Sequence, residues 1–150
     1  MKEIKDYYRK NGKLKEQYYM LNGRLHGEFK YWHANGQLHL LKYYDDGKQH
    51  GEYKWWHETG QLHLHTYYVN NQIHGEYKRY HEDGQLHEHI HYVNGYVHGE
   101  YKRYHEDGTL DRHTFWVHGE EVTRQVAKLV TDINDITDEE RTLIKLAIGC

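Results

Sequence analysis

Histidine is the residue type here with the most chemistry to offer, and the chain holds 16 of them. His63 and His65, and His87, His89 and His91, alternate along short runs. In a β-strand, residues two apart lie on one face about 6.7 Å apart at Cα. Two such imidazoles can reach one Zn²⁺ or Cu²⁺ through bonds of about 2.0–2.1 Å. His63, His65, His87, His89 and His91 are therefore the candidate metal ligands. The competing reading is that these rings are flat, half-polar sheet residues bonding to their neighbours. No cysteine or nearby carboxylate completes a ligand set, which favours that second reading, and no cofactor is expected. Histidine is also the side chain whose charge changes between about pH 5 and 8. Acid-weakened association is expected from so many of them.

Other chemistry has less to build on. The chain contains no serine, and no glycine-rich phosphate loop. His57-Glu58-Thr59-Gly60-Gln61 ends in glutamine where a zinc-protease motif needs histidine. Catalysis is not expected. A net charge of −3 gives no basic face for nucleic acid. The single cysteine, Cys150, forms no intrachain disulfide. No secretory leader or long apolar run is read, so a soluble cytoplasmic protein is the expectation.

The histidines recur because the whole sequence recurs. Gly27-Glu28-Phe29-Lys30, Gly51-Glu52-Tyr53-Lys54, Gly75-Glu76-Tyr77-Lys78 and Gly99-Glu100-Tyr101-Lys102 follow one another every 24 residues without insertion. A fixed period of this size marks a repeat array, which spreads its chemistry over equivalent positions. A worn copy precedes the first, giving about five: 3–26, 27–50, 51–74, 75–98 and 99–122.

Each copy reads as two strands and two turns. In the fourth, Glu76–His81 and Gln85–Tyr92 are strand candidates, with turns at Glu82-Asp83-Gly84 and Val93-Asn94-Gly95. Asp-Gly and Asn-Gly between aromatic runs are hairpin signals, because glycine accepts the positive φ such turns need. Three-residue loops with a type I turn and a bulge fit both places. The product is a mainly β protein, an elongated single-layer antiparallel meander of about ten strands. Only 37% of residues are hydrophobic and mean hydropathy is −1.14, but 15% are aromatic. Stability is thus expected from aromatic ladders rather than a thick aliphatic core.

Beyond residue 122 the period changes. Val122, Val126, Leu129, Val130 and Ile133 follow helical spacing, with Glu120 and Glu121 near the start. Thr137 and Glu140 form a capping-box signature for a second helix. The spacing predicts two short helices over 123–150 that cap the array.

With those turns, Trp32, Leu38 and Tyr44 share one face with Glu28, Lys30 and Lys42, and their equivalents follow. The other face then carries Phe29, Tyr31, His33, His39, Leu41 and Tyr43. The candidate binding surface is Phe29, Tyr53, Tyr77 and Tyr101 with Tyr31, Trp55, Tyr43 and Tyr67. A single-layer sheet cannot hide both faces, so one should meet a partner.

Tyr92-Val93-Asn94-Gly95-Tyr96-Val97-His98-Gly99-Glu100-Tyr101, and its counterpart from Tyr68 to Tyr77, resemble the MORN repeat in its variant form. The period is 24 rather than about 23, and aromatics follow Gly-Glu where a second glycine is usual. The resemblance covers about residues 3–122. It implies a sheet of stacked hairpins used as a scaffold for protein association and sometimes for lipid contact. The repeated aromatic surface, with no unique polar cluster, makes a non-enzymatic scaffold that binds protein and self-associates the leading expectation. The alternatives that the resemblance carries are a phospholipid-binding membrane-surface scaffold and an antitoxin-like protein. Such variants also occur in large DNA viruses, which would place the protein in a virion or infected cell. A homodimer is expected through a face or the helices. Lys2, Lys5, Arg9, Lys10, Lys13 and Lys15 crowd the N-terminal end, and charge guards an edge strand against open-ended pairing.

Overall fold

The structure is a computed structural model that describes residues 2–132. Eleven strands run in chain order: β1 Lys2–Tyr8, β2 Leu14–Leu21, β3 Arg24–Trp32, β4 Leu38–Asp45, β5 Lys48–Trp56, β6 Leu62–Val69, β7 Gln72–Tyr80, β8 Leu86–Val93, β9 Tyr96–Tyr104, β10 Leu110–Val117 and β11 Glu120–Val122. One helix, α1 Arg124–Asp132, follows. The strands form a single open antiparallel sheet in which each pairs with its sequence neighbours. At about 4.8 Å per strand the sheet is about 50 Å across. This is the open meander the repeats predict, with one strand more.

The extra strand corrects the reading of Glu120 and Glu121. They belong to β11, where Glu121 pairs with Trp116 and takes a hydrogen bond from Arg112 at 2.7 Å. The helix starts later, and Thr123 caps it. Its carbonyl accepts from Ala127 N at 3.0 Å and its hydroxyl from Val126 N at 3.4 Å. The second helix expected from Thr137 lies outside the described residues.

Two turn types alternate. The first is the three-residue loop expected, closed in the second copy by His33 N to Gln37 O at 2.9 Å. Asn35 Oδ1 accepts from Gln37 N at 2.9 Å, and Asp83 and Asp107 repeat that bond. The second turn is tighter than expected. Asn94 and Gly95 both take positive φ, 52° and 84°, as does each equivalent pair. Two successive positive-φ residues make a two-residue type I′ hairpin, whose twist matches the strands. Asn71 stands where other copies have glycine and holds φ 69°.

The register differs from simple parity, and this reassigns the faces. Tyr31 pairs with Leu40 but Trp32 with Leu38, so β4 carries one extra residue, His39. Every β3–β4-type hairpin has this bulge; from there on Phe29 faces Lys42 and Glu28 faces Tyr43. Phe29, Tyr31, Lys42 and Tyr44 therefore share one face, and Glu28, Lys30, Leu41 and Tyr43 the other. A parity count cannot detect one inserted residue, and a slip of one exchanges faces.

The repeated glycine is a second irregularity. Between Lys42↔Tyr53 and Tyr44↔Gln49, the one residue Tyr43 of β4 is opposed by three of β5, His50, Gly51 and Glu52. Gly51 sits in that bulge at φ 114°, and a Cβ there would lie 3.1 Å from Tyr43 Cβ.

The core is one residue thick. Thr66 is 1% exposed and Ile90 5%. Thr66 lies between Tyr53 and Tyr77, and Ile90 between Tyr77 and Tyr101. The Thr66 hydroxyl donates to Glu76 O at 3.0 Å.

Candidate functional site

The two faces have different chemistry, and the eight candidate binding residues divide between them. Phe29, Tyr53, Tyr77, Tyr101, Tyr31 and Trp55 lie on what is here termed the aromatic face. Tyr43 and Tyr67 lie on the opposite, charged face.

The aromatic face is closed sideways. Tyr7 stacks on Tyr18 at 5.7 Å, and Tyr18 on Phe29 at 5.6 Å. Tyr53 meets Tyr68 at 5.7 Å, and Tyr77 meets Tyr92 at 5.8 Å. The Lys42 ammonium lies 4.5 Å over Phe29 and 5.2 Å over Tyr44. Burial pushes the Tyr53, Tyr68, Tyr77 and Tyr92 phenols above their ordinary pKa. One row of this face changes character along the sheet. Tyr31, Leu40, Trp55 and Leu64 give way to Arg79, Glu88, Arg103 and Arg112. Those charges are used internally: Arg79 reaches Glu88 at 3.1 Å, and Tyr101 donates to Glu88 at 3.0 Å.

The charged face repeats one motif. Lys54 pairs with Glu52 at 2.7 Å and Lys78 with Glu76 at 2.6 Å, and Lys30–Glu28 and Lys102–Glu100 do the same. Hydrogen bonds from these lysines hold the Glu28, Glu76 and Glu100 carboxyls below their usual pKa, against opposing burial. The third member is a tyrosine in the first of these copies and a histidine at one equivalent position in the next three. Tyr43 donates to Glu28 at 3.0 Å, His65 lies 3.0 Å from Glu52, and His89 lies 3.3 Å from Glu76. Tyr67 is 42% exposed here, and Glu76 and His91 are exposed, whereas Tyr77, Ile90 and Tyr92 opposite them are not.

The five candidate metal ligands do not converge. The bulge turns His63 to the aromatic face, where Nδ1 lies 2.8 Å from His57 Nε2 and its ring 4.4 Å from Trp55. His65 is on the charged face. His87 meets His81, ring centroids 4.2 Å apart. His89 serves Glu76, and His91 Nδ1 lies 3.2 Å from His98 O. Among the described residues no three of His, Cys, Asp or Glu gather as a metal site.

Parity reasoning missed the pairs that do form: His33–His39, His57–His63 and His81–His87. Each joins the residue that closes the loop to the bulge residue six later. The two later pairs line an open groove of about 500 Å³ that also holds Arg79 and Glu82. The sequence signal was the constant six-residue spacing, read with the loop between.

Residues 25–46, 49–70, 73–94 and 97–118 match the MORN repeat variant family. The chain belongs to that family. The matched stretches of this MORN array start every 24 residues and take in β3 to β10. No curated protein matches the chain. Among solved structures it is similar to a mutant of S. aureus TarM in complex with Fondaparinux, alpha-GlcNAc-glycerol and UDP, at 12% identity and TM-score 0.41. That alignment covers 71% of this chain and 21% of TarM. A second TarM structure gives 12% identity and TM-score 0.41, with 76% and 22% covered. The GtfA/B complex bound to UDP and GlcNAc gives 15% identity and TM-score 0.32, with 89% and 26% covered. The MORN chain thus spans about a fifth to a quarter of those proteins. Among the described residues, no helix is long and apolar enough to cross a membrane.

Proposed function

We propose that this MORN array is a non-enzymatic scaffold that binds a protein partner along its charged face and associates with itself. One observation carries the reading. The charged face offers the same Glu–Lys pair in four successive copies, while the residue opposite the glutamate changes from Tyr43 to Tyr67, His91 and Phe115, on a side where Glu76, Tyr67 and His91 stand in solvent. A regular row with variable neighbours suits an extended polypeptide surface better than a small molecule. The aromatic face supports the same assignment from behind, since its rings are occupied with one another.

Family membership fits a protein- or membrane-binding module. Of the two, protein is the better fit, because the four repeated lysines, Lys30, Lys54, Lys78 and Lys102, are each matched by a glutamate and so do not form a cationic row for anionic lipid.

The test is affinity capture from extract with the wild-type chain and a Tyr67→Ala/Phe115→Ala variant, beside flotation with vesicles of neutral and anionic lipid. A protein retained by the wild type and lost by the variant is the expected result. Flotation with anionic vesicles, and no face-dependent protein, would overturn the reading.

A further inference from the structure

We propose that β1 is the self-association surface: two copies join edge to edge, antiparallel, about a two-fold axis through Ile4. The proposal deepens the self-association part of the reading above and rests on it.

Among the described residues β1 pairs on one side only, with β2, and all seven of its residues are exposed. Its free side presents alternate backbone N–H and C=O groups, which a further strand can satisfy. Ile4 is 55% exposed at its centre. The charged ends read at first as a guard against such pairing. Their order argues otherwise.

The strand runs Lys2-Glu3-Ile4-Lys5-Asp6. Read backwards, every charge changes sign about Ile4. Paired antiparallel with a second copy, Lys2 faces Asp6 of that copy, Glu3 faces its Lys5, and Ile4 faces its Ile4. Two-fold symmetry repeats each charge pair, so four opposite-charge contacts surround one apolar contact. Directly opposite residues share a face and are the unit of sheet stabilisation.

Neighbouring registers fail. A slip of one residue sets Lys2 against Lys5 in one direction and Glu3 against Asp6 in the other. A slip of two sets Lys5 against Lys5 or Glu3 against Glu3. The charges thus select one alignment and penalise the rest, as a specific interface requires. The folded strand already holds part of the arrangement. Lys5 Nζ lies 2.8 Å from Glu3 on the side shared with Tyr7 and Tyr18, so the second copy completes a ring of four alternating charges.

The strand also differs from its equivalents. Where the inner copies place Phe29 and Tyr53, β1 has Lys5. Where they place Glu28 and Glu52, it has Ile4. The end copy exchanges ladder residues for a self-complementary edge.

The experiment is light scattering after size exclusion on the full chain, over about 1 to 200 µM, where mass action moves a modest dimer. The wild type should approach twice 18.3 kDa. Glu3→Lys alone and Lys5→Glu alone each set like charges face to face twice. Each should weaken the dimer about tenfold or more, with an unchanged circular dichroism spectrum. The double exchange Glu3→Lys/Lys5→Glu restores opposite charges and should restore the dimer. A monomeric wild type would overturn both self-association and this surface. A dimer indifferent to the single changes, or not rescued by the double, would overturn the β1 pairing alone.

Discussion

His33 and Trp56 are bonded across a repeat boundary: the ring Nε2 lies 2.9 Å from the Trp56 carbonyl oxygen, 23 residues on. Arg9 Nη2 donates to Trp32 O at 2.6 Å, and His81 Nε2 lies 3.1 Å from Tyr104 O. These three loops thus hook the strand end of the following copy. Partners set the protons behind His33. Trp55 Nε1 donates to His39 Nε2 at 2.9 Å, so His39 carries its proton on Nδ1. That atom lies 3.1 Å from His33 Nδ1, which accepts. It is also 2.8 Å from His33 Nε2, but a nitrogen facing a carbonyl must itself carry hydrogen. The chain of donors is complete with both rings neutral.

Removing the hook should loosen the array. His33 is 8% exposed, so His33→Ala leaves a shielded carbonyl and a void. The expected loss is about 1–3 kcal/mol. His105→Ala, whose side chain is 60% exposed, should stay within about 0.5 kcal/mol. Urea unfolding midpoints measure both.

Mild acid should act through the histidines that burial holds below the ordinary pKa. His39 is lowered by burial and then by His33, His63 by burial and then His57, and His87 by burial and then Arg79. Their unfolded value is near 6.5. In that window the unfolded chain binds more protons, so stability falls as pH falls. It is fully present above about pH 7. Melting temperature should be lower at pH 5.5 than at 7.5, and His39→Gln/His63→Gln should flatten the difference. The Glu28, Glu76 and Glu100 carboxyls, lowered from 4.5, cost stability only in stronger acid.

These pH-sensitive pairs show where sequence reasoning stops. Period, hairpins and strand direction are carried by residue types: glycine and asparagine at positive φ, aromatics between them. Those were legible because each acts locally. Face assignment needed the register, and the register turned on His39, one bulged residue with no composition of its own. Parity already set His33 and His39 on one face without joining them, whereas the bulge spread His63 and His65 over opposite faces. Thr123 was a readable cap, obscured by Glu120 and Glu121, whose place in β11 depends on pairing with β10.

The repeated glycine gives a graded prediction. Gly51→Ala meets both the left-handed φ of 114° and the Tyr43 Cβ at 3.1 Å. Gly75→Ala meets φ 86° with nothing within 4 Å. Left-handed backbone costs a side chain about 1–2 kcal/mol. Gly75→Ala should therefore cost about that much, and Gly51→Ala about 1 kcal/mol more, because a backbone-rooted Cβ cannot swing aside. Matching midpoints for the two variants would show that the bulge can widen freely.

Stability and binding should separate by face. Ile90 is 5% exposed and lies between Tyr77 and Tyr101, so Ile90→Ala opens the thin core. Truncations of this kind cost about 2–5 kcal/mol, and a single-layer sheet that can settle sideways belongs near the lower end. Tyr67→Ala removes a ring that is 42% exposed on the charged face and should change stability by less than about 1 kcal/mol. Partner capture should follow the opposite order at a temperature where both variants are folded. Tyr67→Ala should lose the partner, whereas Ile90→Ala should retain it, because the Glu–Lys row stands on backbone that the Ile90 cavity leaves paired. Calorimetry paired with quantitative capture reads both axes. Loss of capture in Ile90→Ala with Tyr67→Ala unaffected would move the contact to the aromatic face.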